Sequence, residues 1–149
     1  MVGVSFTIIK TSNPLWQILK CIDVEKYHWY NIENQNESWG ENIEDVLFDS
    51  VYYNGKDFLE TIKSNHFIVF IKLQAYLTKT ALFNIQTFDD FINSTCQLVL
   101  LIHDCNFVEV YAKDQDIISS IYNNALMNNY LGVNFITWSD NKRYSFDLL

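Results

Sequence analysis

The sequence predicts an α+β fold, a single globular domain (1–149) in which helices pack against a largely antiparallel or mixed sheet. The chain has 149 residues, of which 49% are hydrophobic and 16% aromatic, enough for one well-packed core. An order of helix, strand and strand begins at Asp57, at Thr87 and again at Asp114. Hairpins joined by helices favour such a sheet with the helices on one side. The spacing of about thirty residues fits either an internal repeat or ordinary alternation.

The first third of the chain supplies a strand, a helix and an aromatic segment. Gly3–Ile9 is predicted to be a strand, and Asn13 followed by Pro14 is typical of a helix start. Tyr27–Ile32 is β-prone, and the polar stretch 31–49 that follows it is predicted to be a solvated loop. The spacing of three apolar residues in this loop indicates a short helical turn: Ile43, Val46 and Leu47.

The middle third is predicted to contain the centre of the sheet. Asp57 with Glu60 resembles a capping pair at a helix start. The strand that follows, His66–Leu77, changes character along its length. Its first half (67–71) is continuously apolar, which predicts cover on both faces, whereas its second half alternates and is predicted to be half-exposed. Thr80–Ile85 is predicted to be the returning strand.

The last third is predicted to add two helices and four strands. Thr87 with Asp90 is typical of a helix start, and Gln97–Ile102 has the composition of a core strand. Phe107–Ala112 alternates and is predicted to form a hairpin with that strand. Asp114 begins the longest apolar helical stripe. Two further strands are expected near the end, at Val133–Trp138 and Tyr144–Leu148.

Charge and composition exclude several classes of function. The formal net charge is -8, and Arg143 is the only arginine, so we expect no direct nucleic acid binding. Met1–Lys10 lacks the features of a secretory signal, and the longest apolar run, Leu98–Ile102, cannot span a bilayer. We therefore expect no membrane insertion and a cytoplasmic location. An odd number of cysteines without paired spacing indicates reduced thiols: Cys21, Cys96 and Cys105.

The motifs of catalysis and cofactor binding are largely missing. The four glycines are isolated and the three histidines lack a ligand spacing, so we expect neither a cofactor nor a metal. The most enzyme-like stretch is His103-Asp104-Cys105, because an imidazole can assist formation of a reactive thiolate. Asp104 is also typical of a turn and cysteine is commonly buried, so a structural thiol explains the same residues.

One stretch combines aromatic and acidic residues without any Lys or Arg, which is the pattern of a surface for a basic protein. Alternation along a strand followed by a solvated loop explains the same pattern. The candidate partner-binding residues are Tyr27, Trp29, Tyr30, Glu33, Glu37, Trp39, Glu41, Glu44 and Asp45.

These residues favour a non-enzymatic protein-binding or regulatory module whose partner is a protein, with a basic protein as the first candidate. Two alternatives stay open: a small enzyme that uses Cys105 and His103, and an anionic mimic or immunity-type inhibitor of a nucleic-acid enzyme. The oligomeric state is open, because an exposed strand can pair with a second copy.

Short motifs along most of the chain resemble a family of small Bacillus-type proteins that is catalogued as a domain of unknown function. The resemblance implies a bacterial origin and brings no activity, ligand or catalytic residue. The segments that carry it are Gly3-Val4-Ser5-Phe6, Ile18-Leu19-Lys20 with Ile22-Asp23, Tyr27-x-Trp29, Gln74-Ala75-Tyr76, Phe88-Asp89-Asp90-Phe91, Cys96-x-Leu98-Val99 through Asp104-Cys105, and Val108-Glu109-Val110-Tyr111.

Overall fold

A computed structural model describes residues 1–139 and 145–148 and confirms the α+β class. The described strands form one sheet in the order β3-β2-β4-β5-β6-β1-β7, and each neighbouring pair is antiparallel. The strands are β1 (Gly3–Thr7), β2 (His28–Trp39), β3 (Tyr52–Tyr53), β4 (Phe67–Tyr76), β5 (Leu98–His103), β6 (Phe107–Ala112) and β7 (Leu131–Ile136). The helices are α1 (Pro14–Leu19), α2 (Gly55–Lys63), α3 (Phe88–Ile92) and α4 (Gln115–Met127), with a 3₁₀ turn at Val24–Lys26.

The helix starts follow local capping chemistry. Proline occupies the first turn of α1, and Thr87 with Asp90 forms the predicted reciprocal capping box of α3. The predicted capping residue of α2 was wrong. The N-cap is Asn54, not Asp57, and its side chain accepts a hydrogen bond from a backbone N–H in the first turn. Its donor is the backbone N–H of Asp57, 2.9 Å away, so α2 begins at Gly55.

Both faces of the sheet are covered, but by different kinds of structure. The first apolar cluster joins one face of the sheet to α1, α2 and α4. The second cluster joins the other face to α3, to the segment 77–87 and to residues 145–148. The expectation that all helices lie on one side is therefore wrong for α3, whose Phe88 and Phe91 pack with Val99 and Tyr111.

The predicted strand Thr80–Ile85 is instead an irregular segment that lies over the second face. Both edges of β4 are already paired, with β2 and with β5, so no edge is open for a returning strand. The carbonyl groups of this segment pair with side chains of β4 instead: Gln74 donates to Phe83 O at 3.1 Å, and Lys72 donates to Ile85 O. These two carbonyl groups are thereby satisfied without a ladder.

The end of the described chain also differs from the prediction. The strand expected at Val133–Trp138 is found two residues earlier, as β7. Of the strand expected at Tyr144–Leu148, Tyr144 lies outside the described residues, and residues 145–148 are not a strand. Phe146 is instead buried in the second apolar cluster. Of the three predicted copies of the order helix, strand and strand, the copy from Thr87 is present, whereas α2 and α4 are each followed by a single strand among the described elements, which argues against the internal repeat.

Strand β2 is much longer than predicted and contains a large bulge. Asn31 pairs with Leu73, but the next paired residue, Asn36, lies opposite Ile71, so residues 32–35 project from the ladder. Asn34 at the tip of the bulge adopts a left-handed conformation, with φ of 64°. The stretch predicted as a solvated loop is thus a bulged strand as far as Trp39.

Candidate functional site

Three of the candidate partner-binding residues are buried and cannot contact a partner. Tyr27, Trp29 and Tyr30 belong to the core, and the indole of Trp29 is 0% exposed. Trp29 stacks on Phe58 with ring centroids 4.3 Å apart and donates its N–H to Val24 O at 3.0 Å. For these three residues, burial in the core explains the aromatic pattern, in line with the alternative of a strand with alternating faces.

The remaining candidates surround one end of β2. Trp39 is half-buried and stacks on Phe67, with ring centroids 4.8 Å apart. The five acidic candidates all have exposed side chains: Glu33, Glu37, Glu41, Glu44 and Asp45. The structure therefore separates the predicted set into a buried aromatic part and an exposed acidic part.

Residues 40–51, hereafter the acidic loop, connect β2 to β3 and expose three large apolar side chains, of which Val51 is 39% exposed and the other two are mostly in solvent. Ile43 is 74% exposed and Val46 is 72% exposed. The predicted helical stretch through Leu47 is replaced by a single turn, closed by Asp45 N–H donating to Asn42 O at 2.9 Å. This turn leaves Ile43 and Val46 exposed, whereas Leu47 is buried in the core with Phe48. Sequence spacing missed this exposure, because three apolar residues at helical intervals normally share one buried face.

The acidic loop is fixed by its own hydrogen bonds. Gly40 N–H donates to Asp45 O at 2.8 Å, and Asn42 donates both its backbone and side-chain N–H groups to Asp45 Oδ2 at 3.2 Å. At the other end, the Tyr53 hydroxyl donates to Asp49 Oδ1 and accepts from Asp49 N–H. Burial raises the pKa of Tyr53, and the neighbouring Asp49 carboxylate raises it further. Such anchoring fixes the loop in one shape before any partner arrives.

A cavity of about 280 Å³ lies between the acidic loop and the bulge of β2. Its ionisable lining residues are Glu33 and Asp49, and Asn34 and Asn36 contribute amide groups. Asn31 closes its base by donating to Ser50 O at 2.5 Å. No Lys or Arg occurs between Lys26 and Lys56 in the sequence. The cavity therefore carries negative charge and hydrogen-bond acceptors, which suit a cationic side chain.

The candidate pair His103 and Cys105 is divided by the sheet. His103 continues the alternation of Val99 and Leu101 and lies 3.5 Å from Asp104 Oδ2 and 3.8 Å from Glu109 Oε1. Cys105 lines a separate cavity with members of the first apolar cluster. Among the described residues no hydrogen bond joins the two side chains.

The other two thiols are poor nucleophiles. Burial raises the pKa of Cys21 and of Cys96 to about 11 in each case. At neutral pH both are therefore protonated. Cys105 is the exposed thiol of the three.

Neither a metal-binding cluster nor a membrane-spanning helix occurs in the part of the chain that the structure describes. Across residues 1–139 and 145–148, no three His, Cys, Asp or Glu side chains lie close enough together to hold a metal ion. Within the same residues, no helix combines the length and apolar character needed to cross a bilayer.

A buried charged group was not foreseen from the sequence. Lys72 is 1% exposed, and its ammonium group lies 2.7 Å from Asp147 Oδ1. The two residues are far apart in the sequence and no local motif links them. The ion pair ties residues 145–148 to the centre of the sheet.

Comparison with known proteins gives one family and one relative. The family described as "Protein of unknown function (DUF2691)" matches residues 1–147. The "Uncharacterized protein YncE" of Bacillus subtilis (strain 168) is 34% identical over an alignment of 150 residues, and this alignment covers 96% of each chain. No solved structure matches the chain.

Proposed function

The chain belongs to the DUF2691 family of proteins of unknown function, and we propose that it is a non-enzymatic module that binds a basic protein through the acidic loop and the cavity beside it. The observation that carries this proposal is the cavity lined by Glu33 and Asp49 next to two exposed apolar side chains. We further propose that it acts in the bacterial cytoplasm, where its three free thiols stay reduced.

The apolar part of the surface supplies contact area. Ile43 and Val46 are exposed on a loop that is already ordered, so this loop loses little conformational freedom when a partner covers them. Burying a side chain of this size contributes about 1.5–3 kcal/mol. Two such side chains form a small contact centre with an acidic rim, the usual anatomy of a protein interface.

The charged part of the surface selects the partner. A Lys or Arg side chain that enters the cavity meets the Glu33 carboxylate and the Asp49 carboxylate without a competing cation from residues 27–55. Exposed acids around the loop attract basic proteins over a distance of about 10 Å at 0.1 M salt. The same charges repel phosphate, which argues against direct binding of nucleic acid.

The experiment is capture of partners from a bacterial lysate on the immobilised protein, followed by identification and affinity measurement with the purified partner. Replacing Ile43 and Val46 by Ser should weaken binding by about tenfold or more, because apolar burial is lost. A matched control replaces Met127 and Leu131, which are 82% and 62% exposed and lie elsewhere. Equal loss in both double variants would contradict the proposal.

The charge component has its own test with the same purified partner. Glu33→Gln should weaken binding by up to about fivefold at low salt, the range of a solvent-accessible ion pair. Glu25→Gln, at an exposed acid of the 3₁₀ turn, is the control. Binding that is unaffected by ~1 M salt, where charges are screened within about 3 Å, would argue against a basic partner. A captured nucleic-acid enzyme would make the module an inhibitor of that enzyme.

A further inference from the structure

A second cavity lies at the start of β4, where the chain leaves β1 and passes the β5–β6 turn. Its volume is about 270 Å³. This is close to the lower limit of ligand pockets in proteins, which suits a small molecule. The residues that line it are Ile8, Ile9, Lys10, Thr11, Pro14, His66, Phe67, Ile68, Cys105 and Asn106.

The walls of this cavity are held by backbone hydrogen bonds from three directions. Ile8 N–H donates to Asn106 O at 2.9 Å, His66 N–H donates to Ser12 O at 2.9 Å, and Cys105 N–H donates to Val69 O at 2.9 Å. The segment after β1, the start of β4 and the hairpin turn are thereby fastened to one another. The cavity is preformed, so a ligand does not have to order it.

His66 is part of the wall and carries no charge there. Its Nε2 accepts the backbone N–H of Leu15 at 3.1 Å, so its Nδ1 carries the proton and donates to Ser64 O at 2.8 Å. Burial lowers the pKa of this imidazole, which keeps it neutral at neutral pH. Both of its nitrogens are therefore occupied by structural bonds.

The charge balance of this cavity is the opposite of that beside the acidic loop. Its lining includes no Asp or Glu, and it includes the basic side chain of Lys10. Thr11 and Asn106 supply further hydrogen-bond donors at the same wall. In a chain with a net charge of -8, an apolar cavity with one cation and no anion favours a negatively charged apolar ligand.

We propose that this cavity binds a small aliphatic monocarboxylate, with its hydrocarbon part among Ile8, Pro14 and Phe67 and its carboxylate beside Lys10. The hydrocarbon leaves water for an apolar wall, which provides the affinity. The ammonium group and the neighbouring donors orient the carboxylate, which provides the selectivity. The site is separate from the protein-binding surface proposed above, and its test does not depend on that surface.

The test uses Cys105 as a reporter, since it lines the cavity and is the exposed thiol. Alkylation by the neutral reagent iodoacetamide is followed by intact-protein mass spectrometry with octanoate, octanamide or octylamine present, each below its aggregation concentration. Octanoate should slow alkylation most and octylamine least. Equal slowing by all three would overturn the assignment of a carboxylate, and an unchanged rate with all three would overturn the site.

Two pairs of variants separate the cavity from the surface around it. Thr11→Trp fills the cavity and should abolish protection by octanoate, whereas Ser12→Trp, at the exposed neighbour outside the lining, should preserve it. Lys10→Met should weaken the binding of octanoate by up to about fivefold, as expected for an exposed ion pair. Lys56→Met should leave octanoate binding unchanged. Loss of protection in Ser12→Trp or Lys56→Met, or its retention in Thr11→Trp, would contradict the proposal.

Discussion

The two halves of β4 show how differently one strand can be covered. The first half, residues 67–71, is apolar, yet it buries only Ile68 and Ile71, whereas Phe67 is 44% exposed and Val69 and Phe70 are half-buried, so the predicted cover on both faces is wrong. The second half, residues 72–76, contains Lys72 and Gln74 and is buried throughout. Cover therefore depends on the segments that cross the strand, and polar side chains are tolerated inside where those segments present carbonyl oxygens and a carboxylate.

The largest expected effect comes from removing the buried cation. Lys72→Ala leaves the carbonyl of Ile85 and the carboxylate of Asp147 without their shared donor. Breaking a buried pair from one side costs about 3–5 kcal/mol, and the partial exposure of Asp147 places this case near the lower value. Urea denaturation should report this loss in the free energy of unfolding. A loss below ~1 kcal/mol would show that the stability of the second half of β4 does not depend on the ion pair.

A smaller effect is expected at the neighbouring polar residue of the same half. Gln74→Ala removes the donor to the Tyr76 hydroxyl, at 2.7 Å, and to Phe83 O. Leaving buried acceptors unsatisfied costs about 1–3 kcal/mol. Thermal unfolding by circular dichroism is a suitable measurement, with Gln97→Ala as a control at a half-buried glutamine outside this network. Equal destabilisation by the two variants would mean that the network beneath residues 77–87 has no special weight.

Mild acid should lower the free energy of unfolding through His66, which directly precedes the first half of β4. Burial lowers the pKa of this imidazole below its ordinary value of 6.5, so the unfolded chain binds a proton first as the pH falls. Stability should be constant above pH 6.5 and decrease below it, by at most about 1.4 kcal/mol per pH unit, until the folded pKa is passed. Urea titrations between pH 7.5 and 5 test this slope. His66→Gln should reduce it, and an unchanged slope in that variant would assign it to other groups.

The smallest effect on stability is expected for Phe67, the exposed apolar residue in the first half of β4. Phe67→Ala should cost only about 1 kcal/mol, well below the 3–5 kcal/mol of a buried Phe, since nearly half of the side chain is already in water. Phe91→Ala, at 0% exposure, provides the buried reference. Equal losses from the two variants, measured by urea denaturation, would remove the contrast between open and covered regions.

What the sequence could predict follows from the range of its signals. Capping at Thr87 and Asp90 and the apolar stripe after Asp114 are local, and both helices were found. The cover of Lys72 requires residues 13 and 75 positions away, and no period of 2 or 3.6 encodes that. The acidic members of the candidate site could be named because composition alone marks them. The exposure of Ile43 and the burial of Trp29 depend on tertiary packing and could not.

The stack of Trp39 on Phe67 lies between the cavity beside Lys10 and the start of the acidic loop. Phe67 lines the cavity beside Lys10, and Trp39 directly precedes the acidic loop at Gly40. A molecule that shifts the Phe67 ring must also move the indole packed against it, because close-packed rings cannot interpenetrate. An occupant of the cavity beside Lys10 would therefore change ring packing at the start of the acidic loop, without any rearrangement of the sheet.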